Sequence, residues 1–382
     1  MVTTRRKTYG EAPARLSTLS DRRRRWAALL RGKHYQPVIA EVLEQELPKY
    51  ATSALFLPNS MASITRECVL ILASAPLIFA AAVEGTLTQR FLVDVDLQRE
   101  YQVIQERAHI QPSIYLQLLA DEHGTPPTAK QYLIIRERML QYVSSGTEYQ
   151  ELAWAIDNIT PPNVAHSATI TGYRKYLWTK KRSPAHLERI FRLSTGIMDR
   201  YNSIPPSDRT DPLPFPPCEC GYSYNSHIRL AQHRNRQSSN YVMNLIEDIC
   251  GHLHNTSQFT QRFSMHQYII YLIFHPEQAA IAEIFCSGLL QVWVDDGGGV
   301  NAYPAGRSVA SASRISVLEW AAHERWTEEN TELRENLRVQ MERLERDVKG
   351  LDDEVGEVWR EALDEERVNG EELRDGDYVP DE

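Results

Sequence analysis

Three features of the sequence predict a mainly α fold. Apolar residues recur at helical spacing along most of the chain, a seven-residue repeat runs through its C-terminal part, and strand-like runs are few. Residues 36–48 set Val38, Val42, Leu43 and Leu47 on one stripe, and 129–143 do the same with Leu133, Ile134, Met139, Leu140 and Val143. From Asn240 to His254, Val242, Leu245, Ile246, Ile249 and Leu253 share a face, with Ser238 or Ser239 as the cap. The run Tyr268–Phe274 (YIIYLIF) suits a strand but fits a buried helix at least as well, with Pro276 as its breaker. Phe91–Leu97 and Leu289–Val294 are the other strand candidates.

The most hydrophobic stretch is Val69–Val83, bounded by Glu67 and Glu84 and interrupted by Pro76. A bilayer span needs about 20 apolar residues. This stretch predicts a buried core helix kinked at the proline, and no membrane association. Nor does the N-terminus, MVTTRRKTYGEAPARL, have the apolar core of a secretory signal.

The C-terminal segment gives the clearest pattern. Leu337, Met341, Leu344, Val348, Leu351, Val355, Val358 and Ala362 are spaced 4-3-4-3-4-3-4, the 3.5-residue average of a coiled coil. Charged residues such as Glu342, Arg343, Glu345 and Arg346 fill the intervals. The seam predicts pairing through 337–362 with a second copy, with a partner protein or with the body of the chain itself.

Breaks in this pattern set the expected layout. The sequence predicts a basic disordered arm (1–33), a helical domain (34–203) and a Pro-rich linker (204–217, IPPSDRTDPLPFPP). A small helical domain (218–294), a Gly/Ser/Ala linker (295–313), a long helix (314–368) and an acidic tail (369–382) follow.

Composition narrows the class of protein. With 382 residues and 42% hydrophobic content the chain is long enough to bury a core, and its net charge of −9 argues against a uniformly basic coat. Five cysteines are too few for a disulfide scaffold and predict a reducing compartment. Charge is polarised, however. Residues 1–33 hold ten Lys or Arg against two acids, and 361–382 hold ten acids against two bases. The blocks Arg5-Arg6-Lys7 and Arg22, Arg23, Arg24 and Arg25 suit nuclear import or phosphate contact, or else simply pair with the acidic tail. Within the head, the four residues Lys7-Thr8-Tyr9-Gly10 resemble the short docking element of the cohesin-release factor Wapl, which leans towards chromatin.

One segment has the donors for a metal. Cys218 and Cys220 on a tight knuckle, with His227 and His233 downstream, offer the thiolates and imidazoles of a tetrahedral zinc site. The segment 218–237 resembles a C2H2 zinc finger, with Gly221, Tyr224, Leu230 and His233 at that family's positions for glycine, core aromatic, core leucine and first histidine. The resemblance implies zinc held by Cys218, Cys220 and His233. The cysteines follow C-x-C spacing, and the family's last histidine falls on Gln237. His227 is the first candidate for the fourth ligand, ahead of Cys250, His252 and His254. In such fingers the helix meets DNA, which makes Arg229, Arg234 and Arg236 candidate phosphate contacts. The stretch 173–182 (YRKYLWTKKR) mixes aromatics and bases as a nucleic-acid surface does, or forms an amphipathic helix with Tyr173, Tyr176, Leu177 and Trp178 inward.

No complete catalytic signature occurs: phosphate-binding glycine loops, a nucleophile elbow and H-E-x-x-H are all missing. Asp94 and Asp96 would face one way on a strand, and Asp295-Asp296 would close another, so a metal-dependent transferase or nuclease is the alternative. The favoured reading is a non-enzymatic nuclear adaptor with a structural zinc, DNA or importin contact through the basic head, and partner contact through the heptads.

Overall fold

The computed structural model describes residues 18–50, 60–178, 181–237, 240–302, 305–306, 309–347 and 349. Arg5-Arg6-Lys7, Lys7–Gly10, the heptad positions Val348, Leu351, Val355, Val358 and Ala362, and the acidic tail lie outside the described residues. The structure is mainly α. Its helices are α1 (Leu19–Arg31), α2 (Tyr35–Glu46), α3 (Met61–Ala73), α4 (Leu77–Glu84), α5 (Leu87–Val93) and α6 (Val95–Arg107). They lead into strand β1 (Ser113–Ala120). Helices α7 (Ala129–Val143), α8 (Gln150–Asp157), α9 (His166–Ile170) and α10 (Pro184–Ser203) precede β2 (Cys218–Ser223). Then come α11 (Ser226–Arg234), α12 (Tyr241–Asn255), β3 (Ser264–Leu272), α13 (Gln278–Leu290), α14 (Val317–Asn330) and a last helix from residue 333 to 347.

Local chemistry starts several of these helices. Thr18 with Asp21, Thr128 with Gln131, and Ser316 with Glu319 form reciprocal capping boxes on α1, α7 and α14. Ser183 caps α10 and Pro184 opens it, where a missing N–H costs nothing. Pro76 does more than kink the apolar stretch: it separates α3 from α4 at an angle of 104°. Among the described residues no single helix is long and apolar enough to cross a membrane.

The three strands form one antiparallel sheet in the order β2-β1-β3. Tyr268–Leu272 is therefore strand, not helix; its tyrosines and isoleucines favour the pleated surface that β1 provides. Both other strand expectations fail. Residues 91–97 end α5 and begin α6, with Asp94 as the cap between them, and 289–294 end α13 and turn. One core cluster gathers α1–α4 and α13 with the sheet, and a second gathers α7, α8, α10 and α12.

The expected domain boundaries do not match this arrangement. β1 belongs to the expected first domain and β2 and β3 to the second, so the sheet joins them. The Pro-rich segment is packed structure rather than spacer. Leu213 and Phe215 are buried, Leu213 N–H donates to Pro127 O at 3.0 Å, and Leu119 N–H donates to Pro217 O at 2.9 Å. Likewise α1 belongs to the folded body, not to a disordered arm: Trp26 is fully buried and donates its indole N–H to Glu41 at 2.6 Å. Gly297, Gly298 and Gly299 are not a flexible hinge. A Cβ on Gly299 would stand 2.2 Å from Cys218 O and 2.3 Å from Val292 O, so glycine is required for close approach to β2.

Candidate functional site

β2 is an outer strand, and its free edge is covered by two means. Main chain comes first: Cys218 N–H donates to Gly298 O at 3.3 Å and Cys218 O accepts from Val300 N–H at 2.9 Å. Next, the Asn301 amide imitates a strand residue, accepting from Cys220 N–H at 3.1 Å and donating to Cys220 O at 2.7 Å. Beyond Asn301 lies a cleft of about 950 Å³, lined among others by Tyr115, Glu219, Tyr222, Arg229, Tyr241 and Glu283. Its size falls within the range of small-molecule sites.

Strand alternation sets what faces this cleft. Leu116, Leu118, Cys218 and Cys220 point to one face of the sheet, and Tyr115, Gln117 and Glu219 to the other, beneath α11. There Gln117 donates to one oxygen of Glu219, and Asn240 donates to the other at 2.9 Å. Gln267 donates to Gln117 at 2.8 Å and receives Arg234 at 2.7 Å. His233 is buried between two partners, its Nε2 3.2 Å from the Tyr115 hydroxyl and its Nδ1 3.7 Å from Glu219. That Nδ1 makes no hydrogen bond.

Burial dominates the electrostatics. It pushes the Glu219 carboxyl up to about 7, against the opposing donors of Asn240 and Gln117 and the charge of Arg229. Burial, helped by Arg229, pushes His233 down to about 3, so the imidazole is neutral at pH 7. The Tyr115 phenol is raised well above its ordinary range by burial and by Glu219. Glu283 is raised by burial, opposed by the backbone N–H groups of Gly306 and Tyr222. A carboxyl poised near neutrality on the wall of a cleft marks the place most suited to ligand chemistry.

The predicted zinc ligands are not brought together. Cys218 and Cys220 share the face opposite His233, because residues one apart from Glu219 must point away from it. Both thiols are buried, and burial raises both. His227 leaves the region altogether: its Nε2 meets Gln105 O at 2.6 Å and its ring stacks on His109 at 3.6 Å. Cys250 lies in the second core cluster. Among the described residues no group of three or more His, Cys, Asp or Glu side chains is placed to hold a metal ion. The donors do not fit a tetrahedral zinc in this fold, and the finger-like arrangement is replaced by strand, turn and helix.

The predicted phosphate contacts are mostly engaged within the protein. Arg23 is buried, donates to Ala82 O at 2.9 Å at the end of α4, and lies 4.2 Å over the Phe215 ring. Arg22 donates to Gln291 at 2.7 Å and Arg25 pairs with Glu41, while Arg24 stays exposed near Asp21. Arg236 binds Glu247 at 3.1 Å and Asp248 at 3.2 Å. The 173–178 stretch is a turn and not a helix, with Arg174, Tyr176 and Leu177 buried. Asp94 caps α6 and pairs with Arg90 at 2.8 Å, and Asp96 is exposed on the first turn beside Arg99. Both aspartates sit at the α5–α6 junction, not on the strand that the two-carboxylate reading expects.

Sequence reasoning missed Tyr115, Glu219, Glu283 and Asn301. Glu219 lay in view between the two cysteines, but its significance depends on β1 and α12, which no local pattern connects to it. Comparison with protein families, curated proteins and solved structures finds no match.

Proposed function

We propose that this chain is a non-enzymatic nuclear adaptor, associated with chromatin or nucleic acid, which recruits through its last helix, in the first instance a second copy of itself. The observation that carries this reading is how the heptad seam leaves the body. Leu333 is buried and Leu337 packs partly against the larger core cluster, while Asn336 donates to Ala73 O at 2.8 Å. Gln340 and Arg343 anchor the helix on the carbonyls of Lys33 and Gly32 at the end of α1. Met341 and Leu344, the next members of the repeat, remain 63% and 60% exposed. An apolar pair exposed at the start of a longer 4-3 repeat is what an unpartnered coiled-coil seam presents. The basic run Arg5-Arg6-Lys7 supports the nuclear placement.

Light scattering on the full chain tests the recruitment. The expected mass is near twice the 43.9 kDa of one chain, falling to one chain when Leu344→Asp and Leu351→Asp are combined. A wild-type mass of one chain overturns self-recruitment. For the nuclear placement, a fluorescent fusion with Arg5, Arg6 and Lys7 changed to alanine is expected to lose nuclear accumulation. An unchanged distribution refutes the import role.

A further inference from the structure

The seam does not account for the cleft at the edge of β2, whose charged groups are unequally engaged. Both acids are turned towards protein donors. Glu219 accepts from Gln117 and Asn240, and Glu283 accepts from Gly306 N–H at 2.8 Å and lies against the Tyr222 amide. Arg229, on α11, is half-buried at the same cleft, and among the described residues no carboxylate oxygen comes within 4.0 Å of it. Its protein contacts are Gln232, at 3.5 Å, and the Tyr115 hydroxyl. A guanidinium partly removed from water is ordinarily matched by an oxyanion in fork geometry. Glu219 and Glu283 act on Arg229 through space, but neither forks onto it, and the cleft has room for a group that does.

We infer that the cleft is a binding site for a small oxyanion-bearing ligand, a carboxylate or a phosphate ester, held by Arg229 and the Tyr115 hydroxyl. His233 positions the phenol from behind. Its Nε2 lies 3.2 Å from the Tyr115 oxygen, and its Nδ1 lies 3.7 Å from Glu219. Held in this way, the Tyr115 hydroxyl sits beside Arg229 at the wall of the cleft. Asn240 and Tyr241 at the start of α12 line the remainder of the cleft. The site is independent of the coiled-coil seam, so either reading stands without the other.

Inorganic phosphate and succinate, each at millimolar concentration against sodium chloride of matched ionic strength, are the probes, and thermal melting and calorimetric titration of the full chain are the readouts. At least one probe is expected to raise the melting temperature. Tyr115→Phe, which keeps the ring, is expected to weaken binding at least tenfold, as loss of a hydrogen bond to a charged group does. Arg229→Gln is expected to abolish it. If Arg229→Gln does not fold, Arg229→Lys replaces it, with binding at least tenfold weaker through loss of the fork. A response to phosphate alone assigns phosphate esters, and a response to succinate alone assigns carboxylates. No response to either probe, or equal responses in wild type and the Arg229 variant, overturns the site. Leu344→Asp is expected to leave the titration unchanged, which separates failure here from failure of the adaptor reading.

Discussion

At the scale of single residues, Glu219 and Gly299 make the sharpest demands on the fold. Glu219 has its carboxyl raised from an ordinary 4.5 to about 7, chiefly by burial. A raised folded-state value means the native protein holds its proton more tightly than the unfolded chain does. The resulting stability is fully present below pH 4.5 and is lost as pH rises through 7. At about 1.4 kcal/mol per unit, the contribution is on the order of 3–4 kcal/mol. Urea unfolding at pH 5 and pH 8 is therefore expected to show the wild type losing stability that Glu219→Gln retains. An identical pH response in the two proteins would show that Glu219 is not the titrating group. Gly299→Ala acts through shape instead. The new methyl would meet two carbonyl oxygens at little more than 2 Å, so the segment covering β2 must move away. A loss of at least about 1–3 kcal/mol is expected from such overpacking, read as a lower urea midpoint at unchanged slope.

Among the elements, what was legible in the sequence depended on whether the cause was local. α2 and α12 follow their apolar stripes, α7 is a helix but turns Tyr132, Ile135 and Tyr142 inward while Leu133, Ile134 and Leu140 are only partly buried, and the caps of α7 and α14 are set by residues three apart. β3 was ambiguous because YIIYLIF is buried on both faces, which removes the alternation that marks a strand. α1 was hidden by its own arginines: a run of four bases suggests a solvated arm, yet Arg23 is buried against the carbonyl end of α4, where a cation is favoured. The finger resemblance is a related case. It ran through β2 and α11, where cysteine, glycine, leucine and histidine occur at the expected intervals but serve a sheet and its covering helix. This has a direct consequence for metal. A structural zinc contributes about 10–16 kcal/mol to a finger, so its removal would unfold the segment. With the thiols on one face of β2 and His233 on the other, a strong chelator is expected to leave the melting temperature unchanged. A large drop on chelation, reversed by added zinc, would restore the finger.

For the molecule as a whole, the question is whether the Pro-rich segment divides it. The composition of 204–217 suggests a spacer between two independently folding halves, and such halves ordinarily melt separately. The packing argues for one cooperative unit. β1 has its only two sheet neighbours in β2 and β3, both from the far side of the segment. Arg200, on α10, donates to Phe215 O at 2.5 Å and to Gly297 O at 3.0 Å, tying the segment to the glycine run that covers β2. Arg23, on α1, stacks over the same Phe215 from the other core cluster. Separating the halves would leave β1 with both edges unpaired and expose the apolar faces of Leu116 and Leu118, a state with nothing to stabilise it. Urea unfolding followed by far-ultraviolet circular dichroism and by tryptophan fluorescence is therefore expected to give one coincident transition. Trp26 and Trp320 report the larger cluster, and Trp178 packs partly against the second. Arg200→Met, which keeps an unbranched apolar stem but removes the guanidinium and its two carbonyl contacts, is expected to lower the midpoint while keeping the two probes coincident. Two separated transitions in the wild type would show that the proline-rich segment is the divider its composition suggests, and that the sheet contacts across it are weaker than their geometry implies.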